Sequence, residues 1–363
     1  MIIIHEYGEP SHYSGAVEAN KRINSHVTYY EFSIVKFMIK GIMKKDASVF
    51  FKAVRDFLFL SLFYVFPFLL KDKLVIIGIA PVDFRIVFFN RILKYAKVTY
   101  HTSWMIWDGS KFPKRNKFLS SFFKREWDFF ISDIADSFAV VTETVKDQLI
   151  KQMGVEPSKI EVVYHSYDES IFMDNRNGCR NEHLNVIFAG RLVKNKGIDE
   201  FLEIVKDNPN INFYIIGKGD EESKVKNACG KFKNLSFIGY VSSRTELAQY
   251  YNLADFILLP SKRTKNWEEL FGMVIIEAMA CGCIPICTDH NGPMIILKDD
   301  VWRKNIIKEN CFVLKTNELL QVYRLEPKKI EFERQKAINT AIAYSKKNIS
   351  LKWYSVFKKS GVL

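Results

Sequence analysis

The sequence predicts an α/β protein built from two doubly wound parallel sheets, one per domain. Three observations carry this. At 363 residues and 48% apolar content, the chain is long for one domain. Short apolar strands alternate with helix-like segments throughout, the pattern of parallel sheets covered by helices on both faces. One polar stretch, "MDNRNGCRNEH" from Met173 to His183, interrupts the alternation and reads as a linker.

In the first half, "MIIIH", "VTYYEF", "KLVIIGIA", "KVTYHT" and "SFAVVT" read as strands. "TETVKDQLIKQMG" follows as a helix closed by Gly154. In the second half, "LNVIFAG", "INFYIIG", "NLSFIGY", "DFILLP" and "CIPICT" read as strands, with "GIDEFLEIVKDN" and "SRTELAQYYNLA" as helices between them. Ligands in such folds sit beyond the carboxyl ends of the strands, and with two domains the expected site is the cleft between them. The longest uncharged run, "FLFLSLFYVFPFLL" from Phe57 to Leu70, contains Pro67 and is shorter than the roughly 20 residues a spanning helix needs. It reads either as a buried helix or as a membrane-surface segment. No basic region followed by an apolar one opens the chain, so a signal peptide is not expected.

The formal net charge of +12 is unevenly spread. Lys21 to Arg125 holds 20 Lys/Arg against 6 Asp/Glu, while Glu126 to Glu169 holds 3 against 10. From Lys328 onward there are 9 basic and 2 acidic residues. A basic first half and a basic tail suggest an anionic partner, and no nucleic-acid motif accompanies the charge, so nucleic acid is not expected. The six cysteines form no CxxC pair, and Cys281, Cys283 and Cys287 lack structural-zinc spacing. They are expected to be reduced, mostly buried thiols, which suits a cytosolic protein.

Two stretches could carry chemistry. In "VIFAGRLVKNKGIDE" a strand ends at Ala189 and a helix opens near Gly197. Gly190 lets the backbone approach a ligand, and Arg191 and Lys196 flank a loop leading to a helix N-terminus. That arrangement suits a diphosphate; an ordinary strand–loop–helix with solvated cations is the alternative. In "LLPSKRTKNWEELFGMVIIEAMACG" a helix is expected to start near Gly272 and stop at Gly282. Glu269 then lies in the loop and Glu277 in the helix. A buried carboxylate is costly without hydrogen bonds. Phe271, Gly272, Met273 and Val274 would offer free backbone N–H groups at the helix start, where an anion is favoured. Glu277 could reach ribose hydroxyls, and Glu269 would project toward a sugar.

At this point "EELFGMVIIEAMACGCIPI" resembles the E-x7-E signature of retaining GT-B glycosyltransferases of the family 4 type. "FAGRLVKNKGID" is similar to that family's phosphate-binding stretch, and the two stand in the family's order. The resemblance implies a GT-B fold of two Rossmann-like domains. Residues 1–172 would be the acceptor-side domain, 173–183 the linker and 184–340 the nucleotide-sugar domain, with 341–363 a C-terminal helix returning to the first domain. Gly190, Arg191, Lys196, Phe271, Gly272, Met273, Val274, Glu277 and Gly15 would bind the donor, and Glu269 and His101 would be catalytic. The first half matches less closely. Gly15 stands where the family carries a Gly-Gly loop, but Ala16 follows it. His101 is similar to a family histidine that contacts the donor sugar, with a structural histidine as the alternative. In "VVYHSYDESIF" only Asp168 matches the family's Asn-Gly-Val-Asp segment. Trp104, Trp107 and Asp108 would line an acceptor pocket or simply pack a loop.

The implied reaction moves a sugar from a UDP- or GDP-linked donor to a hydroxyl of a glycan or lipid-linked acceptor, with retention. Its transition state is oxocarbenium-like, so the work is electrostatic. No Asp-x-Asp motif occurs, so Arg191 and Lys196 are expected to stand in for a metal, with no metal and no cofactor. The implied setting is bacterial cell-surface polysaccharide or lipopolysaccharide synthesis. The basic, aromatic segment Lys36 to Lys73 adds an anionic membrane surface as partner, and hence a cytoplasmic protein peripheral to the inner face of the membrane. Rival readings are a non-catalytic sugar-nucleotide-binding protein and a GT-B sugar-nucleotide epimerase.

Overall fold

The computed structural model describes residues 1–6, 13–23, 26–110, 112, 120–176, 183–265, 267–326 and 328–362. The linker Met173–His183 lies outside these at 177–182, as does Cys179. The chain divides into two compact units, Met1–His165 with Lys347–Leu363, and Ser166–Lys346.

The first unit carries β1 (Ile2–His5), β2 (Thr28–Glu31), β3 (Leu74–Gly78), β4 (Lys97–Thr102), β5 (Ser137–Val140) and β6 (Ile160–Val162). They form one parallel sheet in the order β2-β1-β3-β4-β5-β6. Between them run α1 (Ser14–Asn20), α2 (Ile34–Met43), α3 (Ala47–Val65), α4 (Ile86–Ile92), α5 (Ser120–Phe129) and α6 (Glu143–Met153). Successive strand side chains point to opposite faces, and here both faces are covered. Ile2, Ile4, Val75 and Ile77 enter one core with Leu60, Phe89 and Trp127. Ile3 and Ile76 enter a second core with Tyr13, Ala16, Trp353 and Phe357. That is why these strands read as unbroken apolar runs rather than alternating ones.

The second unit carries β7 (Asn185–Ala189), β8 (Asn212–Ile216), β9 (Leu235–Gly239), β10 (Phe256–Leu259), β11 (Ile284–Thr288) and β12 (Ile306–Ile307). Their order is β12-β11-β10-β7-β8-β9, all parallel. Its helices are α7 (Ile198–Asp207), α8 (Glu222–Cys229), α9 (Arg244–Leu253), α10 (Met273–Ala280), α11 (Asn291–Ile296), α12 (Phe312–Leu325) and α13 (Lys328–Ile342). The last helix, α14 (Lys346–Lys359), packs in the first unit, where Ile349, Trp353, Val356 and Phe357 complete the second core.

The ten strands expected from sequence are present. Two more, β6 and β12, complete the sheets with three and two residues. Gly154 ends α6 in the left-handed region at φ 67°, as a helix-closing glycine does. The run Phe57–Leu70 is no single helix. α3 begins at Ala47 under an Asp46 cap, stops at Val65, and Pro67 starts a separate 3-10 turn to Leu70. Among the described residues, no helix is long and apolar enough to cross a membrane.

Candidate functional site

In the second unit the chain leaves β7 in one direction, to β8, while β10 lies on its other side. Between β7 and β10 the strand order reverses, the place where open α/β sheets bind ligands beyond the carboxyl ends of their strands. The loops after these two strands meet there. Gly197 takes φ 72°, and a Cβ on it would sit 1.9 Å from the Pro260 carbonyl oxygen. The Lys262 N–H donates to the Asn195 carbonyl at 2.9 Å. Only glycine permits this approach, and the approach carries Lys196 onto the β10 loop.

Lys196 Nζ pairs there with Glu269 Oε2 and lies 4.9 Å from the centre of the Trp267 ring. Ser261 Oγ donates to the same carboxylate oxygen at 3.2 Å. Both charged side chains are mostly buried. The backbone of Glu269 is held too. Its N–H donates to His290 Nδ1 at 3.0 Å, and its carbonyl accepts the Gly292 N–H at 3.0 Å. Nδ1 is therefore the bare ring nitrogen, and Nε2–H faces Glu309 Oε1 at 3.1 Å. Burial, then the Arg263 guanidinium, lowers the His290 pKa, which keeps the ring neutral.

Two residues further, Phe271 is buried edge-on to Tyr344 at 5.7 Å. Gly272 follows at φ 88° as the N-cap of α10, with no side chain capping the helix. The Met273 and Val274 N–H groups have no partner within the helix, while the Ile275 N–H donates to the Gly272 carbonyl at 2.9 Å. Glu277, on the same helix, is 6% exposed. Its Oε1 accepts from Arg244 Nη2 at 2.9 Å, and that guanidinium lies 5.1 Å from the Phe172 ring centre. Burial pushes the Glu277 carboxyl up to about 7, with Arg244 pulling the other way. Arg191, next to Gly190 at the end of β7, is exposed and in no ion pair among the described residues. Gly190 itself donates its N–H to the Ile216 carbonyl, joining the loops after β7 and β8.

Lys196 and Glu269 are thus brought together, with Gly190, Arg191, Phe271, Gly272, Met273, Val274 and Glu277 on adjoining segments of one unit. His101 and Gly15 belong to the other unit. His101 is buried on β4, 4.9 Å from Tyr13 and 5.7 Å from Trp353, ring centre to ring centre. His5 and His165 share this cluster, and burial holds each imidazole down at about 4. Gly15 is not in a loop as expected. It lies in α1, and a Cβ there would meet Ile349 at 2.9 Å and Trp353 at 3.0 Å, so packing against α14 already requires glycine. Of the two readings of Trp107, the packed loop holds: it is 2% exposed and stacks on Trp127 in the core, with its Nε1–H donating to the Trp104 carbonyl. Asp168 accepts from Lys346 Nζ at 2.8 Å, where the chain enters and leaves the second unit.

Sequence reasoning missed Arg244, Ser261, Trp267 and His290. The last three sit close to Glu269 in sequence or at the end of the next strand, so the fold rule for strand ends would have found them. Arg244 carried no such signal.

Residues 171–321 match the family model described as Glycosyl transferases group 1, and residues 94–170 match Glycosyltransferase Family 4. An alpha-galactosylglucosyldiacylglycerol synthase of Streptococcus pneumoniae is 29% identical over 51% of this chain and 48% of its own. The chain spans about half the length of the curated relatives it matches. Among solved structures, a glycosyltransferase from Rickettsia africae superposes with a TM-score of 0.68 at 15% identity, covering 99% of this chain and 98% of that one. The pneumococcal O-GlcNAc transferase GtfA, solved with UDP and GlcNAc, gives 0.61 at 20% identity over 82% of this chain and 59% of its own. These likenesses fit the two six-stranded parallel sheets to the GT-B fold and support a family 4-like glycosyltransferase.

Proposed function

We propose that the chain is a glycosyltransferase that moves a sugar from a UDP- or GDP-linked donor to a hydroxyl of a glycan or lipid-linked acceptor, retaining anomeric configuration. The observation that carries this is the meeting of Lys196 and Glu269 at the strand-order reversal, beside the uncapped N-terminus of α10. A diphosphate placed there would be met by Lys196, Arg191 and the first-turn N–H groups of α10, all favouring negative charge. As the bond to the sugar breaks, negative charge grows on the diphosphate and positive charge on the sugar ring. Fixed cations stabilise the first and the Glu269 carboxylate the second, without reorganisation. Glu277 accepts from the ribose hydroxyls. The leaving phosphate takes the acceptor's proton, so the step needs neither a metal nor a cofactor; the lack of an Asp-x-Asp motif supports this. The reaction belongs to surface polysaccharide or lipopolysaccharide assembly, with the protein cytoplasmic and peripheral to the inner membrane face.

Glu269 pairs with Lys196, so the carboxylate and an incoming diphosphate would compete for that one cation. Arg191→Ala and Lys196→Ala should each weaken nucleoside diphosphate binding by roughly 10- to 100-fold, the worth of a charged hydrogen bond. Glu269→Gln should leave that binding unchanged or tighter, because it frees Lys196, yet cut turnover by roughly 100-fold or more. Calorimetry with UDP and GDP, and hydrolysis of the corresponding nucleotide sugars in EDTA, measure both. Unchanged nucleoside diphosphate affinity in the Arg191 and Lys196 variants would reject the assignment. An inverted product anomer by proton NMR would reject retention.

A further inference from the structure

The two helices α2 and α3 turn an apolar stripe away from the core. On α2, Val35, Ile39 and Ile42 recur at i, i+4 and i+7, and they are 70%, 51% and 66% exposed. On α3, Phe51, Leu58, Leu62 and Val65 repeat at helical spacing along most of its length and are all exposed. Such stripes ordinarily face a core, and soluble monomers rarely expose large contiguous apolar patches. The helices are held as a tight pair: a Cβ on Gly41 would sit 2.8 Å from the Phe50 backbone nitrogen. Apolar grooves of about 370 and 870 Å³ continue the surface toward α4, lined in common by Phe32, Ile34, Phe57 and Arg85.

Charge selects the occupant. Lys36, Lys40 and Lys44 follow one another at i, i+4 and i+8 directly beside the α2 stripe, and all three are exposed. Lys45, Lys71 and Lys73 are exposed as well. The acids offset only part of this: Asp72 is exposed between Lys71 and Lys73, but the others do less. Asp56 is fully buried, paired with Arg55 and bonded by the Glu31 N–H, and Asp46 caps α3. A second copy of this face would bring like charge against like charge. Nucleic acid would leave the isoleucines and phenylalanines unmatched. A lipid leaflet with anionic headgroups satisfies both stripes at once, since lysine stems lie along apolar surface while their ammonium groups reach the headgroups.

We infer that the α2–α3 pair is a membrane-docking element that lies in the interface plane of an anionic lipid leaflet, its outward apolar stripes among the acyl chains and its lysine row at the headgroups. This deepens the peripheral location proposed above and does not depend on the glycosyl-transfer chemistry.

Flotation of the full chain with phosphatidylglycerol/phosphatidylcholine vesicles, and with phosphatidylcholine alone, tests it. The wild-type chain should float with the anionic vesicles at low salt and partly resist high salt. Lys36→Gln/Lys40→Gln/Lys44→Gln should lower binding by roughly 100-fold at low salt, since each basic residue contributes several-fold. Val35→Gln/Ile39→Gln/Ile42→Gln should abolish the salt-resistant fraction while leaving the thermal midpoint unchanged, because those positions are already exposed. Hydrogen exchange should show vesicle protection in α2 and α3. Wild-type chain that stays unbound at low salt overturns the inference. So does an apolar-stripe variant that binds like wild type, or a wild-type dimer by sedimentation that this variant dissociates. Nucleotide-sugar hydrolysis without vesicles, measured on the same variants, separates failure here from failure of the transferase reading.

Discussion

Glu277 is a carboxylate placed where only a neutral group would be comfortable, and among the described residues Arg244 is the cation that meets it. Its folded pKa, about 7, stands above the ordinary 4.5, so the folded state holds a proton that the unfolded state has released between those values. The stability gained from the neutral carboxyl is therefore complete below pH 4.5 and lost as pH rises through 7. Glu277→Gln removes this titration. The stability of wild type relative to the variant should fall between pH 5 and 7 with a limiting slope of about 1.4 kcal/mol per pH unit. Urea unfolding across that range checks it, and a pH-independent difference would show that the carboxylate is solvated. Arg244→Gln should move the upper end of the window to higher pH. Of these residues the sequence disclosed Glu269, Glu277, Arg191 and Lys196, because a motif marks them. It did not disclose Arg244, whose partner lies 33 positions away. Nor did it reveal that Lys196 pairs with Glu269, which depends on two loops folding together.

At the scale of elements, what could be read was whatever repeats along the chain. Strands of four to six residues leave unbroken apolar runs in the sequence, and the amphipathic α7 leaves a helical period. β6 and β12 do not, being three and two residues long, and their existence is imposed by the sheet edges they join. The orientation of α2 was equally hidden, since periodicity gives a stripe but not the side it faces. The entry into α10 depends on contact rather than on pattern. Gly292, in the first turn of α11, lies so close to Phe271 that a Cβ would sit 2.5 Å from its N, Cα and O atoms. None of these backbone atoms can swing aside, and Gly292 also donates to the Glu269 carbonyl. Gly292→Ala should cost about 1–3 kcal/mol, the usual effect of overpacking, and should reduce turnover by displacing the Glu269 loop. A stability loss with full activity would show that the loop is set independently of α11.

At the scale of the molecule, the second unit is inserted into the first. The chain enters it after His165 and leaves it at Lys346. The two crossings are fastened to each other: Tyr167 bridges Ser345, the Lys346 N–H reaches the Tyr167 carbonyl at 2.9 Å, and Lys346 Nζ holds Asp168. α14 then fills the open face of the first sheet. Trp353 is 1% exposed there, against Tyr13, His101 and Phe357. Trp353→Ala should destabilise the first unit by about 3–5 kcal/mol while nucleoside diphosphate binding, assigned to the other unit, persists. A loss under 1 kcal/mol would show that α14 is not part of that core. The same arrangement bears on how the polypeptide is made. All six strands of the first sheet have been synthesised by Val162, but the helix that covers Ile3, Ile76 and Ala139 comes only after Ser166–Lys346 has been translated. At ~5–20 residues per second that is a delay of roughly 10–40 s. During it the second unit can fold while that face of the first sheet is covered only in part, by Tyr13, Ala16 and Ala19. The inserted unit can thus complete its core before the unit whose strands were made first.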